Sequence, residues 1–265
     1  MLVLKNISKT FNHNTPYENK VFSHLSFKVN EGDFITIVGG NGAGKSTLLN
    51  IISGAIQADS GRIILNGKDI SKVPEYKRAV FIGRVFQDPM LGTSPSMTIE
   101  ENLSLALSRS NNISLKWGLN INKQKLFKSY LSNIPLGLEK RLKTKVSLLS
   151  GGQRQALTLI MATMKKPDIL LLDEHTASLD PKTALLVNNM TEEIIKKNKI
   201  TTLMVTHNLE HALKMGNRLI MMHNGRIIMD IKGEEKAAMD IPQLLDKFEQ
   251  TQGEKFANDR VMLAR

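Results

Sequence analysis

Apolar and polar positions alternate early in the chain, where Val21, Ser23, Leu25, Phe27 and Val29 stand against Phe22, His24, Ser26 and Lys28. A two-residue period predicts a strand with one clean apolar face. Residues 1–30 as a whole read as strands, with a polar loop over Asn12–Lys20. Phe34–Val38 is a short apolar run ending in glycines, and Leu48–Ile52 continues a helix that Gly54 can terminate. Arg62–Leu65 followed by Asn66-Gly67 predicts a hairpin, and Ala79–Phe86 a further strand. Residues 1–86 are therefore expected to be rich in β structure.

From Thr98 to about Thr163 the pattern turns helical and more basic, with Asn- and Lys-containing loops near 109–124 and 132–145. An inserted helical subdomain is predicted at about 88–166. Strand and helix then alternate again. Ile169–Leu172 reads as a buried strand, 182–197 as a helix, Thr201–Val205 as a strand, and Leu219–Ile231 as a hairpin around Asn224-Gly225. Beyond Gly233 the chain is polar and is expected to form a peripheral helix and a loose tail. The reading is an α/β chain: a mixed sheet core with an antiparallel β part and the helical insertion, one domain over 1–232, and an extension over 233–265.

Composition narrows the class. The 265 residues are 41% apolar and 23% charged, which excludes collagenous and disordered chains. There is no cysteine, so disulfides, thiolate metal sites and cysteine nucleophiles fall together. No stretch approaches the roughly 18 apolar residues of a membrane span, and MLVLKN is too short for a signal peptide. The methionines at 161, 164, 204, 221 and 222 are read as core filling. The formal charge of +11 admits nucleic acid, an anionic membrane face or a plain cationic surface.

Chemistry enters at residues 39–47, GGNGAGKST, which match G-x-x-x-x-G-K-[ST] through Gly39, Gly44, Lys45 and Ser46. Glycines let successive amides face phosphate oxygens, and the following helix adds its positive N-terminal end. Lys45 supplies charge to the β- and γ-phosphates of a nucleotide, and Ser46 a hydroxyl for Mg²⁺. A second signal is Asp173-Glu174 at the end of an apolar run, where an Asp can hold the metal through water and a Glu can orient or deprotonate the attacking water. Gln87 and His207 also follow strand ends and read equally as ordinary turn residues. Ser150-Gly151-Gly152-Gln153 fits a helix capping box, yet two glycines in the first turn suggest a bared, anion-binding helix start. Two phosphate-binding ends in one chain suggest a two-fold dimer in which each covers the other's nucleotide.

With these residues the chain resembles the nucleotide-binding subunits of ABC transporters over residues 1 to about 232. GGNGAGKST resembles Walker A, Leu149–Gln153 the family signature LSGGQ, and Ile169–Glu174 Walker B. Gln87 in VFQDP resembles the Q-loop, Ser178-Leu179-Asp180 the D-loop, and His207 in VTHN the switch histidine. The resemblance implies a P-loop NTPase of ABC type that hydrolyses ATP. In it Gly39, Gly40, Asn41, Gly42, Ala43, Gly44, Lys45, Ser46 and Thr47 hold the phosphates, and Phe11 stacks on adenine. Ser46 and Gln87 ligate Mg²⁺, Asp173 holds it through water, and Glu174 is the catalytic base. His207 contacts the γ-phosphate, while Ser150, Gly151, Gly152, Gln153 and Asp180 act across a head-to-tail dimer of two copies. One departure is His175, where most members carry proline.

The stretches DEHTASLDPKTA and GNRLIMMHNGRI are similar to subunits of bacterial importers that work with lipoprotein-type binding proteins, some assigned to aromatic amino acids. The partners so implied are a second copy, a separate transmembrane permease and an extracytoplasmic substrate-binding protein, with the chain peripheral on the cytoplasmic face of the membrane. Met90, Leu91 and Pro95, with the helical insertion, are the expected permease-docking surface. Exporter and lipid-extraction ATPases use the same cassette and remain open. A nucleic-acid-directed ATPase is disfavoured by a single phosphate loop, no sustained heptads and no cysteine. Much of the surplus charge lies in Lys116–Lys128, Lys140–Lys145 and Lys196–Lys199, which suits work beside an anionic leaflet.

Overall fold

A computed structural model describes residues 1–108, 121–132 and 134–252. The elements along the chain are β1 (Leu2–Phe11), β2 (Asn19–Val29), β3 (Phe34–Val38), α1 (Lys45–Ser53), β4 (Ser60–Leu65), β5 (Lys68–Asp69), α2 (Glu75–Arg78) and β6 (Ile82–Val85). Then come α3 (Ile99–Ser108), α4 (Ile121–Leu131), short 3₁₀ turns at Leu138–Lys140 and Val146–Leu148, α5 (Gly151–Thr163), β7 (Ile169–Asp173), α6 (Pro181–Asn198) and β8 (Thr201–Val205). The chain ends in α7 (Leu209–Lys214), β9 (Arg218–His223), β10 (Arg226–Lys232), α8 (Glu234–Ala237) and α9 (Ile241–Gln252). Two compact units result, one from residues 1–78 with the described residues from Lys199 onward, the other from Ala79–Asn198.

The first unit holds an antiparallel sheet in the order β2-β1-β4-β5 and a run of strands β10-β9-β3-β8 in which β3 is parallel to both β8 and β9. All five residues of β3 and of β8 are buried, as strands covered on both faces should be. Both predicted Asn-Gly hairpins form, with φ 49 and 79 at Asn66 and Gly67 and φ 44 and 71 at Asn224 and Gly225. Gly54 ends α1 in the left-handed conformation, as expected.

Several sequence expectations change. Strand β2 does not keep one apolar face throughout. Leu25, Phe27 and Val29 are buried, but so is Phe22, while Ser23 is exposed. A bulge causes the switch: Lys9 pairs Phe22 and Ile7 pairs Leu25, two steps against three, and His24 takes φ 56. The strand expected over Ala79–Phe86 shortens to β6. The tail expected over 253–265 lies outside the described residues. Helix α9 beyond Gly233 is more than peripheral, because its Leu244, Leu245 and Phe248 share a core with Val38, Leu209, Ala212, Leu219, Met221 and Ile231. Their i, i+1, i+4 spacing is a helical stripe within a polar composition.

The second unit pairs β6 with β7 in parallel and packs α5 against β6 and α6. Gly83 of β6 allows the approach, since a Cβ there would lie 2.7 Å from Ala162 O of α5. Met161 and Met164 are buried in this unit, and Met204, Met221 and Met222 in the other, in keeping with core filling. Helix α4 occupies part of the loop expected near 109–124, and the rest of that loop, 109–120, lies outside the described residues. Among the described residues no helix is long and apolar enough to cross a membrane.

Candidate functional site

The phosphate-binding motif lies in the first unit, between the end of β3 and the start of α1. Lys45 is only 8% exposed. Its Nζ donates to Gly39 O at 2.7 Å and Gly40 O at 3.1 Å, so the chain curls around its own ammonium. Asn41, Gly42 and Ser46 are exposed, Thr47 is half-buried, and Gly39, Gly40, Ala43 and Gly44 are buried. A helix start preceded by a partly exposed glycine loop around a central cation is suited to a polyanion such as a nucleotide's phosphates.

The loop rests on residues that motif reading passed over. Gly225, in the turn between β9 and β10, donates its amide to Ala43 O at 3.1 Å. It also lies so close to β2 that a Cβ would stand 1.7 Å from Val21 O. Arg78, only 1% exposed, donates to Ile51 O and Ile52 O at the end of α1, and to Ser71 O and Val73 O. A buried cation at a helix C-terminus satisfies carbonyls that have no partner within the helix. A lone arginine after a loop carries no local sign of that role.

His207 comes to the same edge by strand register. Ile37 pairs with Val205, and the Thr206 amide donates to Ile37 O at 3.1 Å, so His207 follows β8 where the phosphate loop follows β3. Its side chain is exposed. Asn208 then caps α7 by accepting from the His211 amide at 2.8 Å. Burial pushes the His211 imidazole below its ordinary value, with Lys214 and His207 acting in the same direction and Glu210 against it.

Phe11 is half-buried at the end of β1, with Lys9 Nζ 5.3 Å from its ring centroid. Phe22, opposite Lys9 in the ladder, lies against Gly44, so this end of β1–β2 adjoins the loop. Asp59 anchors the corner by accepting from Lys9 Nζ at 2.7 Å and the Thr10 amide at 2.6 Å, with His13 Nε2 at 3.2 Å. Burial works to raise the Asp59 carboxyl, but these hydrogen bonds outweigh it and hold it below the usual carboxylate range.

The acidic pair lies in the second unit. Asp173 ends β7, half-buried, with Oδ2 3.5 Å from Arg84 Nη2 on β6. The Arg84 guanidinium in turn sits 4.4 Å from the Phe86 ring centroid. Val85 pairs with Leu172 as the last pair of the β6–β7 ladder, so Gln87 follows β6 as Glu174 follows β7. Gln155 of α5 holds the approach to Gln87 by donating Nε2 to Phe86 O at 3.1 Å. Glu174 takes φ 45, in the left-handed region that side chains other than glycine seldom adopt. His175 is buried, with Nε2 3.1 Å from Thr191 Oγ1 on α6.

Ser150 and Gln153 form the full capping box of α5. The Gln153 amide donates to Ser150 Oγ at 3.3 Å and the Ser150 amide to Gln153 Oε1 at 3.2 Å. The two glycines between them have different grounds. Gly152 is buried, and a Cβ there would meet Thr183 Cγ2 of α6 at 2.0 Å, so close helix packing demands it. Packing thus gives Gly152 a second ground beside the bared helix start expected from the sequence. Gly151 is exposed, with only an ordinary 3.4 Å contact to Leu179 awaiting a Cβ. Asp180 Oδ1 accepts the Thr183 amide at 3.1 Å, and the Thr183 hydroxyl and amide hold its carboxyl below the usual range. Met90 and Leu91 are exposed, Leu91 at 68%.

Residues 22–177 match the family model of the ABC transporter. One relative, a tyrosine transport ATP-binding protein of Clostridioides difficile, is 51% identical over 249 residues, 94% of this chain and 99% of its own. A spermidine/putrescine import ATP-binding protein of Pasteurella multocida is 34% identical over 87% of this chain, which spans 58% of that relative's length. Among solved structures, the dimeric post-hydrolysis state of an ATP-binding cassette bound to ADP and Pi superposes with a TM-score of 0.74 at 26% identity, over 88% of this chain and 98% of that one. Phosphate loop, strand-end acids and capped glycine helix thus occur in a chain whose sequence and fold agree on one relationship: it belongs to the ABC transporter family, as an ATP-binding subunit whose ATP hydrolysis is coupled to transport.

Proposed function

We propose that the chain is the ATPase of an importer for a small solute of the amino-acid class, working as a pair of identical copies on the cytoplasmic face of the membrane. A separate permease carries the solute, and an extracytoplasmic binding protein delivers it. The observation that carries the reading is the 51% identity to a tyrosine transport ATP-binding protein along nearly the whole of both chains. Two copies that close on ATP and part after hydrolysis would pass that motion to the permease through the helical segment and the exposed Met90 and Leu91.

In this reading Gly39–Thr47 bind the phosphates, Lys45 neutralises them and Phe11 stacks on the base. Ser46, Gln87 and Asp173 offer the hydroxyl, amide and carboxylate oxygens that suit a hard cation, and Mg²⁺ held there would screen the phosphate charge. Glu174 takes the proton of the attacking water, His207 contacts the γ-phosphate, and Ser150, Gly151, Gly152, Gln153 and Asp180 serve the partner copy's nucleotide. The β6–β7 pairing, beyond which Gln87 and Glu174 follow neighbouring strand ends, supports the pairing of metal and water roles.

The test is Glu174→Gln in the full chain. ATP binding should persist, an ATP-bound dimer should accumulate on size exclusion, and phosphate release should fall by about a hundredfold or more. Near-normal release would remove Glu174 from the base role. Purification from native membranes should bring a permease with the wild-type chain, and uptake assays with that permease's binding protein should respond to an amino acid. Substrate-driven ATPase activity without any binding protein would overturn the importer reading.

A further inference from the structure

The turn after β7 is held in an unusual way. Ala177 closes it by donating its amide to Glu174 O at 3.0 Å, which makes His175 its second residue. Glu174, at φ 45, has a backbone conformation that persists only where its surroundings enforce it. A proline at the second turn position would set φ through its ring. Histidine has no such constraint, and here it is buried to 2% exposure.

The direction of the His175–Thr191 hydrogen bond follows from its neighbours. The Thr191 hydroxyl donates its only proton to Val187 O at 2.7 Å, one turn earlier on α6. Its oxygen is left to accept, so His175 Nε2 carries the proton and donates across 3.1 Å. Thr191 is itself fully buried. An apolar side chain would fill this space without a polar group to satisfy, but it would leave the turn's direction unset. The acidic pair is thus restrained on both sides, by Arg84 beside Asp173 and by His175 after Glu174.

We infer that His175 is a positioning residue for hydrolysis: through Thr191 it pins the turn to α6 and so sets the backbone, and with it the carboxylate, of Glu174. The inference rests on the reading of Glu174 as the base. It concerns where that base is aimed and leaves ATP binding untouched.

Steady-state ATPase kinetics and equilibrium ATP binding of the full chain test it, using Thr191→Val, Thr191→Ser and His175→Leu with Glu174→Gln as reference. Thr191→Val keeps the volume and removes the acceptor. It should lower kcat by about tenfold or more while KM and the ATP Kd stay within about twofold. Thr191→Ser, which restores the hydroxyl, should recover most of the loss, and His175→Leu should behave like Thr191→Val. Should Thr191→Val turn over within about twofold of wild type while Glu174→Gln is inactive, the positioning role is overturned and the base role stands. A parallel fall in kcat and ATP affinity without rescue by serine would also overturn it, as mere structural damage. An active Glu174→Gln would remove the base reading and this inference together.

Discussion

The Gly225 amide donates to Ala43 O at 3.1 Å, so the tip of the β9–β10 hairpin holds up the phosphate loop. The comparison with Gly67 isolates what that contact requires. Both glycines occupy the second central position of an Asn-Gly turn, with φ 71 and 79. A Cβ at Gly225 would meet Val21 O at 1.7 Å, whereas at Gly67 nothing lies within 4 Å. Gly67→Ala should therefore cost only the left-handed backbone term, about 1 kcal/mol. Gly225→Ala should cost several kcal/mol, on the order of 3, and weaken ATP binding as the loop shifts. Chemical denaturation with nucleotide titration of the two variants measures the difference, and equal losses would refute it.

Gly152 and Thr183 should be energetically coupled. Gly152→Ala places a Cβ 2.0 Å from Thr183 Cγ2 and should destabilise the chain by roughly 2 kcal/mol. Thr183→Ser removes that methyl group and keeps the hydroxyl and amide that serve Asp180. In the double variant the loss should shrink, with a coupling of about 1 kcal/mol or more. Additive losses in the double-mutant cycle would show that the helices relax apart freely.

Stability should depend on pH through His211. Its folded value is held below the ordinary 6.5, chiefly by burial. The unfolded chain therefore binds the proton more readily, and stability falls as pH drops below about 6.5 and levels off only below the folded value. His211→Gln should reduce the drop in Tm between pH 7.5 and 5.5 while leaving the alkaline side unchanged. Titration of the imidazole by NMR gives an independent check: a value above 6.5 would reverse the sign.

Much of the candidate site was legible locally because its chemistry needs fixed spacings. The GGNGAGKST run, the acids at the end of an apolar strand, the Ser150–Gln153 capping box and the two Asn-Gly hairpins are all specified within a few residues. Of the residues expected to dock a permease, Met90 and Leu91 are exposed and Pro95 is half-buried. Arg78, by contrast, has nothing around it in sequence to suggest that it caps α1, since its carbonyl partners at Ile51 and Ile52 belong to another element. The α9 stripe was hidden by polar neighbours until its helix was seen against Val38 and Met221.

By itself the sequence determined which chemistry is available: periodicity names the strands and helices, and motif spacing names the groups proposed to meet phosphate, metal and water. Tertiary structure alone decided what holds these groups. The β2 bulge at His24, the packing reason for Gly152, the prop from Gly225 and the bond from His175 to Thr191 all depend on partners far along the chain. Local propensity encodes dihedral angles and periods, but steric exclusion and buried hydrogen-bond pairing are set only when distant segments meet.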